Sequence, residues 1–187
     1  MAFRQLALAA VFGLGLAACA SEDNLDVQQP QQNAQVGQIA RSDHPLQCVP
    51  YARQRSGVTI FGDAYTWWDK AAGRFERGMT PKQGAVMVLY GYAGPYRAHV
   101  AVVRELVNAR EIKVDHANWL DDGQIYLDDP VQDVSADNDW SQVRIWNIRM
   151  GAWGSRTYTV QGFIGPGPNN TGPSTPTYGT HPVISMN

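Results

Sequence analysis

The chain has 187 residues, 44% of them hydrophobic, and a formal net charge of −2. That length suits one globular domain with appendages and leaves little room for two. A near-neutral charge without a basic run or an RNA-binding signature excludes nucleic acid as an expected partner.

Residues 1–18 have the layout of a secretory signal peptide: Arg4, an apolar run over 6–16, then Ala17 and Ala18. The run is too short to be read as a spanning helix. Leu16-Ala17-Ala18-Cys19 resembles a bacterial lipobox, which implies that Cys19 becomes the acylated first residue of an exported lipoprotein. Simple cleavage at the small residues is the alternative. Ala20 stands where an inner-membrane retention signal would carry aspartate, so the resemblance implies an anchor on the periplasmic face of a Gram-negative outer membrane. With Cys19 carrying lipid, Cys48 has no disulfide partner, and a lone thiol in an oxidising compartment is either a buried small hydrophobe or a nucleophile. Residues 19–43 are polar and Gln-rich and read as the lipidated cysteine and a flexible tether, with an average reach on the order of 25–30 Å.

A domain is expected over 44–164. A helix starts at Cys48: Pro50 fits a first helical turn, Ala52, Arg53 and Gln54 continue it, and Gly57 stops it. A thiol at a helix start, near a cationic His, is expected to have a pKa lowered from about 8.5 to between roughly 3.5 and 7.5. A second helix is expected over 63–72, with Asp63 as its cap and Gly73 as its stop. Residues 79–84 read as a turn, and strands follow over 85–90 and 98–106. In the strand over 111–118, period-two alternation puts Ile112, Val114, His116 and Asn118 on one face. Glu111, Lys113, Asp115 and Ala117 take the other, with Asp115 exposed. Two more strands are expected over 143–147 and 158–164, and residues 165–187 read as a disordered Gly/Pro/Ser/Thr-rich tail.

Cleaving an amide with a cysteine takes a thiol at a helix start, an imidazole to move the proton, and a polar group that orients the imidazole. In chain order these are Cys48, His99, and His116 or Asn118. Each also has a plain structural reading: a buried thiol, a satisfied strand histidine, a polar pair ending an apolar face. Gln47 is a candidate oxyanion donor or a helix-start packing residue. Tyr51 could touch the site, with core packing the competing role, and Trp119 is placed near the cleft. His44 and His181 form no metal-ligand spacing with Cys48, and no cofactor or metal is expected.

Five stretches taken together resemble the CHAP family of cysteine- and histidine-dependent amidohydrolases and peptidases. They are residues 47–53, the Trp67-Trp68 pair, 81–86, 99–103 and 114–119. The resemblance implies an α+β, papain-like fold related to the NlpC-type peptidases, with N-terminal helices, one carrying the cysteine, packed on a central antiparallel sheet. It implies a peptidoglycan hydrolase in which Cys48 is the nucleophile and His99 the base. The bond cleaved would join muramic acid to L-alanine or lie within the stem peptide or cross-bridge. Many members carry glutamate where this chain has His116; NlpC-type peptidases use histidine as their third residue, so His116 is the first candidate to orient His99 and Asn118 the second. A catalytically inactive lipoprotein that binds peptidoglycan or an envelope partner is the competing reading. Besides peptidoglycan and the membrane, a regulatory envelope protein is a possible partner.

Overall fold

The computed structural model describes residues 37–168. The stretch read as a signal peptide, Cys19, most of the stretch read as a tether, and the part of the expected tail beyond residue 168 lie outside the described residues. Among those described, the elements run β1 (Gln38–Ala40), α1 (Cys48–Ser56), a single 3-10 turn (Ala64–Thr66), α2 (Trp67–Ala71), β2 (Arg77–Gly78), β3 (Val86–Tyr90), β4 (His99–Asn108), β5 (Glu111–Ala117), β6 (Ile125–Asp133), β7 (Gln142–Asn147), β8 (Ala152–Trp153) and β9 (Tyr158–Ile164).

The expected α+β papain-like layering is not what forms. The fold is mostly β, with two short helices of nine and five residues. Six antiparallel strands close into a barrel in the order β6-β5-β4-β3-β9-β7, and β7 returns to β6 through Val131 opposite Ile145 and Asp133 opposite Val143. Closure depends on β6, a strand that sequence patterning does not suggest. Its centre is Asp128-Asp129-Pro130, residue types that are depleted from strands, and proline there donates no ladder hydrogen bond.

The other expected strands all form, and their composition reports two-sided burial. On β3 and β4, Met87, Leu89, Ala101 and Val103 fill the barrel interior with Ile112 and Val114 of β5, Val131 of β6 and Ile145 of β7. Val86, Val88, Val100 and Val102 face outward beneath a second cluster that contains Ala52 of α1, Trp67 and Ala71 of α2, and Val58 and Ile60. Strands covered on both faces read as continuous apolar runs, which is how 85–90 reads. Helix α1 ends as expected at Gly57, a left-handed residue with φ of 69°. The second helix is shorter than expected: 64–66 wind as a 3-10 turn, and only 67–71 are α-helical. Gly162 is required where α2 meets β9, because a Cβ there would lie 2.3 Å from the Trp68 ring.

Two boundaries also move. Residues 38–40, in the stretch read as tether, pair with 125–127 of β6. At the other end, in the stretch read as tail, the Gly165 N–H donates to Glu76 O at 2.8 Å and the Gly167 N–H to Ser56 O at 3.1 Å.

Candidate active site

Two elements bring Cys48 and His99 to the same end of the barrel. Cys48 is the first residue of α1, half-buried against the outer valines of β3 and β4, and without a disulfide among the described residues. The backbone N–H groups of Val100, the residue after His99, and of Val49 and Cys48 favour a charged sulfur. His99 opens β4 on the interior face that Ala101 and Val103 continue. β4 thus turns the His99 imidazole inward while Val100, the next residue, packs outward in the cluster that Cys48 joins.

His99 does not carry its own partner on β4; β5 supplies it. His99 Nε2 and His116 Nδ1 are 2.9 Å apart, and both rings are buried. Asn118 does not take this place. With φ of 60° it turns the chain out of β5, donates to Gln47 Oε1 at 3.1 Å, and accepts the Gly123 N–H at 2.7 Å. It therefore fixes Gln47 at the start of α1, with the Gln47 NH2 as the opposite, donor end of that amide.

A residue that sequence reading misses completes the chain. His116 Nε2 lies 3.0 Å from Oδ2 of the buried Asp129 on β6. Its inward position comes from a bulge. Val114 pairs with Asp129 but His116 pairs with Tyr126, so three steps along β6 match two along β5, and Asp128 takes up the extra residue at φ of 51°. Counting by twos from the interior Tyr126 would have pointed Asp128 inward and Asp129 away. The one available signal was the pair of adjacent aspartates before a proline, which marks irregular backbone without saying which carboxylate turns in.

Asp115 holds the bulge, and here the exposed position expected from alternation is wrong. Its carboxylate is buried: Oδ1 accepts the Asp128 N–H at 2.9 Å, and Oδ2 lies 2.9 Å from Arg104 Nε and 3.8 Å from an Arg55 nitrogen. The Arg104 contact is close enough for an ion pair, although its angle misses a hydrogen bond. Burial pushes Asp115 up to about 6, opposed by the Asp128 amide and then Arg104.

The aromatic residues around the histidines form a seal. Trp119 is 6% exposed, with its ring 4.9 Å from the rings of His99 and Tyr92 and 5.2 Å from those of His116 and Tyr158. The Tyr92 hydroxyl donates to Trp119 O. Trp119 is thus near the cleft but built into its floor, not offered as an open groove wall. Tyr51 is buried under α1 with Ala117 and Ile125 and takes the packing role. Arg97 acts electrostatically on Cys48, and the Arg156 guanidinium lies 4.7 Å over the Tyr158 ring.

Burial decides the charge states. It raises the Cys48 thiol above its ordinary value, against the opposing backbone N–H groups and Arg97. The lowered pKa expected for a thiol at a helix start is therefore not what this site produces. Burial, and then His116, hold His99 well below the usual histidine range, while burial lowers His116 to about 3 and raises Asp129 to about 8. Burial thus favours a neutral thiol and a neutral imidazole at rest, with proton transfer accompanying attack. Among the described residues, no group of three or more His, Cys, Asp or Glu is placed to hold a metal ion.

Residues 28–118, a little under half of the chain, match the family model of the CHAP domain. Such a match points in general to hydrolases of the amidase/peptidase type with a cell-wall role. It contains Cys48, His99, His116 and Asn118 and ends before Asp129. No curated protein matches the chain significantly.

Proposed function

We propose that this CHAP-domain chain is a peptidoglycan hydrolase that cleaves an amide bond through a Cys48 thioester, either between muramic acid and L-alanine or within the stem peptide, in wall remodelling or division. The observation that carries the reading is Cys48 at the start of α1, packed against the strand that His99 opens, with His99 itself held by His116.

The roles follow from geometry. His99 Nε2 is engaged by His116, which leaves Nδ1 as the nitrogen for proton exchange at the cleft. As the Cys48 sulfur attacks the carbonyl carbon, its proton passes to His99. The carbonyl oxygen takes the negative charge, stabilised by N–H groups at the start of α1 and by the Gln47 NH2. His99 then returns the proton to the leaving amine, the C–N bond breaks, and water releases the acyl group from sulfur. The positive charges of Arg97, which acts on Cys48, and of Arg156, over the Tyr158 ring, suit the carboxylates of a stem peptide.

A second reading, a CHAP-like protein that binds peptidoglycan without cutting it, draws on one observation, the burial that keeps the thiol protonated. Purified sacculi separate the two. Mass spectrometry of soluble products should show one cleaved bond type with the wild type, and His99→Ala should reduce turnover by about 10²–10⁴-fold, the range for loss of a placed proton-transfer group. Products from His99→Ala at the wild-type rate would sink the hydrolase mechanism, and bound but uncut sacculi with wild type would favour the binder. For the membrane, we propose that Cys19 is acylated and tethers the domain to the periplasmic face of the outer membrane.

A further inference from the structure

We propose that Asp129 is a positioning residue that sets, through His116, which nitrogen of His99 carries the proton, and so switches the Cys48 site between a base-competent and a base-incompetent state. The inference deepens the hydrolase reading and rests on His99 being its base.

Each neutral imidazole has one donor nitrogen and one acceptor. Along Asp129 Oδ2, His116 Nε2, His116 Nδ1 and His99 Nε2, the two contacts of 3.0 and 2.9 Å can therefore be oriented in only two ways. When Asp129 is ionised it can only accept, so His116 donates from Nε2 and accepts at Nδ1. His99 must then donate from Nε2, which leaves a lone pair on Nδ1 for the thiol proton. When Asp129 is protonated, its O–H donates to His116 Nε2 and every bond reverses. His99 then accepts at Nε2 and carries its proton on Nδ1, where a base needs a lone pair. The proton count balances. Asp129 gives its proton to His116 Nε2, His116 gives its Nδ1 proton to His99 Nε2, and His99 releases one proton from Nδ1 to the cleft.

The setting favours such a switch. Both histidines and Asp129 are buried, so water does not compete for these positions. Asp129 Oδ1 has no hydrogen-bond partner among the described residues, and an under-satisfied buried carboxylate is readily protonated. Burial alone raises Asp129 to about 8, which brings the change close to neutral pH. Nearby charges are already committed. Asp115 on β5 is held by Arg104 and Arg55, and its Oδ1 takes the Asp128 amide. Asp122 is held by Arg149 and the Tyr126 hydroxyl. The single contact of Asp129 with a titratable side chain among the described residues is with His116.

The test uses the full chain labelled with 15N at histidine, with two-bond nitrogen–proton correlations recorded from about pH 5.5 to about 9.5, a range spanning ordinary His values and the raised Asp129. His99 should change from Nδ1–H to Nε2–H as pH rises, and His116 from Nδ1–H to Nε2–H with the same midpoint. Asp129→Asn should abolish the step, and turnover on sacculi should fall about 10–100-fold, less than the roughly 10⁴-fold measured where an orienting carboxylate touches the base directly. A His99 tautomer that does not change with pH, a step that survives Asp129→Asn, or different midpoints for the two histidines would overturn the proposal. If Asp129→Asn does not fold, coincidence of the two wild-type steps decides. Uncut sacculi with the tautomer step present would defeat the hydrolase reading and leave the switch standing; cut sacculi without the step would do the opposite.

Discussion

Replacing Trp119 by alanine separates a floor from a groove. The indole is 6% exposed and meets four rings, those of His99, His116, Tyr92 and Tyr158. A buried tryptophan contributes about 200 Å² of mostly apolar surface, worth about 5 kcal/mol at 25 cal/mol per Å². Core tryptophan-to-alanine changes cost about 3–5 kcal/mol. For a chain of this size each kcal/mol lowers Tm by about 2–4 °C, so the expected loss is about 6–20 °C. Water entering the void would also relieve the desolvation that holds His99 down, and the His99 titration should move back toward the ordinary histidine range. Differential scanning calorimetry and a histidine titration measure both, with Trp119→Phe as a control that keeps most of the ring contacts. A Tm shift under about 2 °C with a raised KM would show that the ring lines an open groove and would refute this account of the site.

Two further outcomes follow. Asp129 is raised in the folded protein, so between pH about 4 and 8 the folded state holds a proton that the unfolded state has lost, and stability falls as pH rises through that window. The lowered histidines act in the opposite direction, but only below about 6.5, so the carboxyl is isolated between pH 6.5 and 8. There the wild-type Tm should decline by the equivalent of up to ~1 kcal/mol per pH unit while Asp129→Asn stays flat, and parallel melting curves would contradict a buried, proton-bearing Asp129. Cys19→Ser should move the protein from the membrane to the soluble fraction of the envelope, and unchanged fractionation would argue against the lipid anchor.

The strands over 85–90, 98–106, 143–147 and 158–164 were legible from their apolar composition, and that over 111–118 from its alternation. Cys48 and His99 were legible for a related reason, since Pro50 and Gly57 bracket a helix and a Gly/Pro loop precedes a valine-rich strand. Strand β6 was not, because its acidic centre and Pro130 violate strand preference locally and are tolerated only through pairing on both sides. With β6 hidden, barrel closure was hidden too, and the expected α+β layering rested on the family resemblance alone.

What the sequence by itself determined is which chemistry is available: a thiol at a helix start, an imidazole at a strand start, and a second imidazole one strand away. Tertiary structure alone decided how these groups are set. The bulge at Asp128, tied by Asp115 to Arg104, turns Asp129 inward to meet His116. Burial then favours the neutral thiol and keeps both imidazoles neutral. Facing direction across a bulge and the free energy of desolvation both depend on neighbours distant in the chain, and period-two counting carries neither.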